Sequence, residues 1–296
     1  MVKTKPDFCM RCPVGGIFNE ADQTCSLPDP EDGLPLACVG EWAEQKHARI
    51  RKYVDISRAV RKKFVGKGGA TYIDLFCGPG RARVRETTRI VDGSALAAAK
   101  QAIESKTGFT ELYIADSNES FLSAASARLD RLGVTTKAYV GTSEHTVQQI
   151  APVLGQFGLH FAFLDPYDLR SLPFTVIERL AGFKHMDILI HVSAQDLQRN
   201  LRRYIERGQS PLDSFAPRWR QVVDKLDPDA NIRNKIFVHW LGLIRACDMH
   251  PAQGVEEVTG TRNQHLYWLV FVARHKLALR FWEDIRNITD QKSWNF

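Results

Sequence analysis

Residues 71–80 read TYIDLFCGPG, and no other stretch restricts the fold as much. Tyr72, Ile73, Leu75 and Phe76 surround a single carboxylate, Asp74, and Gly78 and Gly80 follow at once. A short apolar run closed by glycines predicts a buried parallel strand that runs into a tight turn. Glycine in that turn lets backbone come close to a ligand, where a Cβ would collide with it. Asp74 is placed either to hold the turn or to meet a ligand amine. A purely structural turn is the plainer reading of the same residues.

Four further runs carry the same signature. Strands are expected at residues 112–116, 136–140, 159–165 and 186–192, with helices at about 94–103, 119–132, 145–154 and 196–207 between and after them. Strands alternating with helices predict a doubly wound parallel sheet with helices on both faces. Asp116 closes the second strand, where an acid accepts hydrogen bonds from ribose hydroxyls in such sheets. A helix cap at Asp116 or Ser117 is the bland alternative. Thr142 and Ser143 follow the third strand, with a cap again the alternative. Asp165, Pro166 and Tyr167 end the fourth strand, at the edge where such sheets bind ligands, although Asp-Pro-Tyr is also an ordinary strand-ending turn. Residues 254–259 and 266–273 predict a closing hairpin, residues 232–246 and 277–288 two helices, and residues 41–64 one helix ahead of the first strand.

Four of the six cysteines precede residue 40: Cys9, Cys12, Cys25 and Cys38, spaced C-x2-C-x12-C-x12-C. Clustered cysteines with no secretory signal ahead of them read as metal ligands before disulfides. The segment has too few apolar residues to fold alone, and coordination would supply the missing stability. Four thiolates suit tetrahedral Zn2+, with a [4Fe–4S] cluster as the alternative. This divides the chain into a Cys-rich segment, residues 1–45, and one larger domain, residues 46–296.

Charge follows the same division. Residues 1–45 hold three Lys/Arg against eight Asp/Glu, a balance of −5, so the rest carries +11 of the net +6. That basic surplus fits nucleic acid, a nucleotide or another acidic partner, or simply a solvated surface. Arg81, Arg83, Arg85 and Arg89 fall between the glycine turn and the helix at Ser94, where a loop over the pocket mouth is expected. Arg81 and Arg83 are the candidates there for a substrate phosphate or carboxylate. No apolar run reaches the ~18 residues of a membrane helix, so a cytoplasmic protein is the expectation.

The DLFxGxG form of residues 74–80 resembles the S-adenosylmethionine (AdoMet) motif of class I methyltransferases. A Rossmann dehydrogenase competes for it, but Arg83 stands where that fingerprint has its third glycine. Asp165–Pro166–Tyr167 resembles a shortened (D/N/S)-P-P-(Y/F) motif of amino-methyltransferases, in which the acid accepts from the target amine and the ring stacks on the substrate. One proline is missing. From Trp42 to Ile285 the order of motifs resembles the three-Cys-motif partner (TcmP) family: Lys46 and Tyr53, DLFCGPG at 74–80, DGSALAA at 92–98, LDPY at 164–167, DILIHVSAQDLQRN at 187–200 and LYWLVFVARHKLALRFWEDI at 266–285. That family is class I methyltransferase-like and takes its name from a companion protein with three radical-AdoMet-type cysteines.

The resemblance implies a three-layer α/β/α Rossmann-like fold. AdoMet would be held by Asp74, Phe76, Gly78, Gly80, Asp116, Thr142 and Ser143, and the acceptor by Asp165, Pro166 and Tyr167. The expected activity is methyl transfer to an amine of a nucleotide or nucleic acid. A catalytically silent adaptor that binds a radical-AdoMet-type protein is the alternative. The Cys-rich segment lies outside the matching part, and Thr142–Ser143 replace the acid that often stands on the adenine side.

Overall fold

The computed structural model describes residues 12–19, 24–223, 231–259, 265–286 and 293–294; Cys9 and the tip of the expected C-terminal hairpin lie outside them. The chain begins with β1 (Phe18–Asn19), β2 (Thr24–Cys25) and β3 (Ala37–Val39), then α1 (Trp42–Ile56) and α2 (Arg58–Val65). β4 (Ala70–Asp74), β5 (Arg81–Val84), β6 (Ile90–Asp92) and α3 (Ser94–Glu104) carry the glycine turn and its surroundings. β7 (Glu111–Asp116), α4 (Glu119–Asp130), β8 (Thr136–Val140), α5 (Ser143–Ile150), β9 (Leu159–Leu164) and α6 (Phe174–Ala181) continue the alternation. β10 (Met186–Ser193), α7 (Ala194–Glu206), α8 (Pro211–Phe215) and α9 (Asn231–Ala246) follow. The chain closes with β11 (His250–Pro251), β12 (Val255–Thr259), β13 (His265–Ala273), α10 (Lys276–Arg286) and β14 (Ser293–Trp294).

The larger sheet runs β14-β12-β13-β10-β9-β4-β7-β8. Its five central strands, β8, β7, β4, β9 and β10, are mutually parallel. β13 is antiparallel to both β10 and β12. Numbered by their order in the chain, the seven principal strands therefore lie 3-2-1-4-5-7-6. β7 and β8 extend the sheet to one side of β4, and β9 and β10 to the other. The strand order thus reverses between β4 and β9, and ligands bind at the carboxyl ends beside such a switch point.

Alternation along the strands builds two cores. Ile73, Tyr113, Ala162 and Ile188 point into one, against α5, α6 and α9. Tyr72, Leu112, Phe161 and Leu189 point into the other, against α1, α3, α4 and α10. Both faces of β4 are buried along its whole length, which is why it reads as an unbroken apolar run. The outcome is a three-layer, Rossmann-like α/β/α arrangement.

Three local expectations are corrected. The helix at residues 41–64 is interrupted at Ser57, where the Val54 carbonyl accepts from the Ser57 hydroxyl and the buried Arg61 guanidinium. Side chains competing for backbone acceptors in this way break a helix. The helix after β8 ends at Ile150, and Pro152 turns the next residues into a 3-10 turn. The arginine stretch after Gly80 is not a loop over the pocket mouth. Its R-A-R-V run buries Ala82, Arg83 and Val84, and it forms the β5–β6 hairpin of a second sheet, β1-β2-β3-β5-β6. β3 of the Cys-rich segment pairs with β5, Cys38 opposite Arg83, so the segment ahead of residue 45 shares a sheet with residues 81–92.

Candidate functional site

The glycine turn leaves β4 under the control of Asp74. Asp74 is fully buried, its Oδ1 accepting the Phe76 N–H (3.1 Å) and its Oδ2 the hydroxyls of Ser94 (2.5 Å) and Tyr72 (3.3 Å). Burial raises its pKa to about 7, against the pull of the Ser94 and Phe76 donors. Its oxygens are committed to shaping the turn, so of the two roles open to Asp74 the structure shows the first. Phe76 is half-buried against the core on the α5 side.

The two glycines do different work. Gly80 (φ +85°) is buried, and a Cβ on it would stand 3.1 Å from Leu96 Cδ1 and 3.2 Å from Ala125 Cα. It lets the turn pack against α3 and α4. Gly78 (φ +56°) has nothing within 4 Å of where its Cβ would be, so its Cα borders open space at the carboxyl ends of the strands. The Gly78 N–H donates to Asp116 Oδ2 (2.9 Å), and Asp116 Oδ1 accepts from the Asn118 N–H (2.8 Å). Burial raises the Asp116 pKa, opposed by these N–H donors. With backbone donors from Asn118, Gly78 and Ser117, the carboxylate still keeps acceptor capacity. The cap of α4 is Asn118, which accepts from the Ser120 and Phe121 N–H groups, so Asp116 is released from that duty.

Thr142 and Ser143 stand at the end of β8. Thr142 is exposed and caps α5 by accepting from the His145 N–H (3.3 Å). Ser143 is buried and donates to the Ser171 carbonyl (2.6 Å), fastening α5 to the turn that follows Tyr167. Both have structural duties, the alternative reading for this pair.

One strand beyond β4, Asp165 closes β9 and meets partners that local pattern did not reveal. Lys46 Nζ, from the buried face of α1, donates to both its oxygens (2.7 and 2.6 Å). His191 Nδ1 lies 3.1 Å from Asp165 Oδ1, because β10 runs in register with β9 and Ile190 pairs with Leu164. The Tyr267 ring completes the enclosure, 5.5 Å from Lys46 Nζ and edge-on to His191 at 4.4 Å. Burial would raise the Asp165 pKa, but the Lys46 ammonium prevails and holds it low. Burial, then the same ammonium, depresses His191 and His47 to about 4 each. Near neutral pH His191 therefore stands beside the Asp165 carboxylate as a neutral imidazole.

Of the remaining predicted residues, Tyr167 projects outward, 67% exposed. Arg81 is bound to Asp29 (2.8 Å) and Glu31 (2.5 Å) of the Cys-rich segment, and Arg83 is buried beside Cys38. They brace the second sheet. Cys12, Cys25 and Cys38 gather in one small cluster, the first two with sulfurs 3.4 and 3.0 Å from where a Gly16 Cβ would stand. Cys9 lies outside the described residues, and among those described no group of three His, Cys, Asp or Glu side chains is arranged to hold a metal.

No family model matches the chain, and neither does any curated protein. Among solved structures, a Legionella pneumophila protein matches over 82% of this chain and 91% of its own, at 8% identity and a TM-score of 0.49. An O-methyltransferase from Bacillus cereus in complex with SAH matches over 75% and 80%, at 12% identity and a TM-score of 0.42. An rRNA methylase from Streptococcus thermophilus matches over 77% and 93%, at 12% identity and a TM-score of 0.38. The strand order 3-2-1-4-5-7-6 defines this chain's own class, a Rossmann-like fold of the class I methyltransferase kind.

Proposed function

We propose that this chain is an AdoMet-dependent methyltransferase whose acceptor is an amine of a nucleotide or nucleic acid, and that it belongs with the TcmP-like proteins its motifs resemble. One observation carries the reading. The Gly78 N–H meets Asp116 beside open space at the switch point, while Asp165 ends the next strand over. The cradle fits the cofactor: open space over Gly78 for the methionine end, and a carboxylate with spare acceptor capacity for the ribose diol. When bound, AdoMet supplies a sulfonium methyl group.

The chain's residues would position the acceptor for in-line attack, the main source of rate in such a transfer. Asp165 accepts from the amine and leaves the nitrogen lone pair free. Lys46 holds that carboxylate ionised and in place. His191, kept neutral by burial, adds a polar group without a second positive charge beside a sulfonium. The test is calorimetry with S-adenosylhomocysteine (AdoHcy) on wild type, Gly78→Ala and Asp116→Ala. Binding of the wild type, weakened in both variants, supports the reading, and no heat with wild type defeats it.

A second reading has its own observation. Lys46 engages both oxygens of Asp165, as a site that had ceased catalysis and become an adaptor for a radical-AdoMet-type protein would allow. Transfer of labelled methyl to a panel of tRNA, DNA, nucleotides and peptides separates the two. The same proposal assigns Cys9, Cys12, Cys25 and Cys38 to one Zn2+, or to a [4Fe–4S] cluster. The convergence of Cys12 and Cys25 on Gly16, with Cys38 in the same cluster, favours it. A cytoplasmic location is part of the proposal; among the described residues no helix is long and apolar enough to cross a membrane.

A further inference from the structure

We infer that the acceptor site opens onto a docking strip for single-stranded nucleic acid, made by Arg199, Arg203 and Arg207 of α7 and by the ring of Tyr167. This rests on Asp165 being the acceptor centre, and it adds where the substrate lies and in what form it is taken.

The strip follows from how α7 is seated. The helix starts where β10 ends, with Ser193 as its cap, and buries Ala194, Leu197 and Tyr204. In its first turn Asp196 Oδ2 accepts the Leu169 N–H (2.9 Å), while Oδ1 accepts from Asn200 (2.5 Å) and the Tyr204 hydroxyl (3.0 Å). The row 196–200–204 is thereby turned toward the segment that carries Tyr167, two residues before Leu169. At 100° per residue, Arg199 and Arg203 form the adjoining row, about 6 Å apart along the axis. Arg207 follows at the C-cap, and all three are exposed. The single exposed acid of α7, Glu206, is occupied by Arg202 at 2.8 Å, one row away. A line of cations thus leads outward from the acceptor site.

Tyr167 decides which polyanion fits. An aromatic ring 67% exposed, on the segment that Asp196 fastens to α7, offers a stacking platform for bases, and stacking is tolerant of sequence. Asp165, two residues before Tyr167, has its side chain only 22% exposed, and a base within a duplex could not reach it. The target has to come from a single strand or be turned out of the stack.

Fluorescence anisotropy on the full chain, with a labelled 12-nucleotide RNA, the matching DNA and the annealed RNA duplex, tests this. Both single strands should bind, and better than the duplex. Arg199→Glu with Arg203→Glu should weaken binding at least about tenfold. It should also lower the slope of log affinity against log salt by about 1.4, at about 0.7 per lost phosphate contact on a single strand. Arg199→Gln with Arg203→Gln should act in the same direction if the reversal variant folds poorly. Tyr167→Ala should weaken binding about fivefold or more and Tyr167→Phe hardly at all. Lys62→Glu with Lys63→Glu makes the same charge change on α2, which leads into the amino end of β4, and should cost little. The inference is overturned by a wild type that binds no single strand at low salt, by equal losses in the α2 pair, by preference for the duplex, or by equal competition from polyglutamate. AdoHcy calorimetry on the same samples keeps the two readings apart. A silent cofactor with intact strip-dependent binding strikes the cofactor site alone, and the converse strikes the strip alone.

Discussion

Arg128 donates from Nη1 to the Pro79 carbonyl at 2.6 Å, in the middle of the Gly78–Pro79–Gly80 turn. The same buried guanidinium holds Asp32 (2.7 and 2.8 Å), Asp29 (3.2 Å) and the Pro35 carbonyl (3.0 Å). A residue of α4 thus ties the glycine turn to the Cys-rich segment, and Asp29 continues the chain of contacts to Arg81.

Removing Arg128 should be felt twice. Arg128→Ala leaves Asp29 with only Arg81 and Asp32 with only the exposed Arg131, so the loss should fall below the ~3–5 kcal/mol of a buried pair left wholly unpartnered. The Pro79 carbonyl also loses its donor. Asp32→Asn is the gentler change and should weaken AdoHcy binding while the fold persists. Equal AdoHcy affinity in Asp32→Asn, Arg128→Ala and wild type would separate the turn from the segment.

Asp32 also sets an acid limit. Its hydrogen bonds to Arg128 lower its pKa to about 2 in the folded chain, against an unfolded value near 4. Its contribution is therefore complete above pH ~4 and is lost as the pH falls through ~2. Acid unfolding of Asp32→Asn should be less steep in that window than that of wild type.

Near the carboxyl end of α1 lies a carboxyl group for which the sign reverses. The Tyr53 hydroxyl donates to Asp187 Oδ2 at 2.6 Å, and burial raises Asp187 to about 7. Between pH ~4 and ~7 the folded chain keeps a proton that the unfolded chain has lost, so stability should fall as the pH rises through that range. Asp74, also raised to about 7, acts in the same direction. His47 and His191, lowered to about 4, act in the opposite direction below pH ~6.5, so the assignment is read from a difference between proteins. Relative to wild type, Asp187→Asn should lose most melting temperature near pH 4 and least at pH 8, and a difference that does not vary with pH would contradict the raised Asp187.

The two glycines should respond differently to substitution. Gly80→Val forces side-chain atoms against Leu96 and Ala125, where overpacking costs typically 1–3 kcal/mol, so a lower melting temperature is expected. Gly78→Ala meets open space and carries only the cost of a left-handed residue, about 1–2 kcal/mol. It should fold and lose AdoHcy affinity. The reverse pattern in melting and calorimetry would exchange their roles.

At the acceptor centre, Asp165→Ala should lower methyl transfer by about 10²–10³ while AdoHcy affinity is nearly kept. Lys46→Met should also slow transfer, because burial would then raise Asp165 without an ammonium to oppose it. Single-turnover rates across pH 6–9 should show the lost activity of Lys46→Met partly recovered at high pH. A loss that does not vary with pH would place Lys46 in the scaffold.

Elemental analysis should find about one zinc per chain, or several irons with brown absorbance. Cys12→Ser should lose the metal, and Cys247→Ser should keep it. Metal-free wild type with independently titrating thiols would remove the metal centre.

What the sequence determined by itself was local. Residues 136–140 and 186–192 as strands, and Gly78 and Gly80 as the turn, follow from side-chain periodicity and backbone sterics within a few residues. The places of Asp116 and Asp165 follow as well, because the ends of strands are readable once the strands are. What those residues touch was decided by the tertiary structure. Lys46 and Asp165 are 119 positions apart and meet only because α1 packs along the sheet with Lys46 at the carboxyl end of β9 and Tyr53 at the amino end of β10, while His191 reaches the same carboxylate through strand register. Arg81 is read in sequence as a free loop arginine, but a hairpin paired with β3 turns it toward Asp29 and Glu31. Arg128 carries no local signal and finds Asp32 and Pro79 across 96 and 49 positions. Charge pairing depends on distance through space, and residue pattern encodes only distance along the chain.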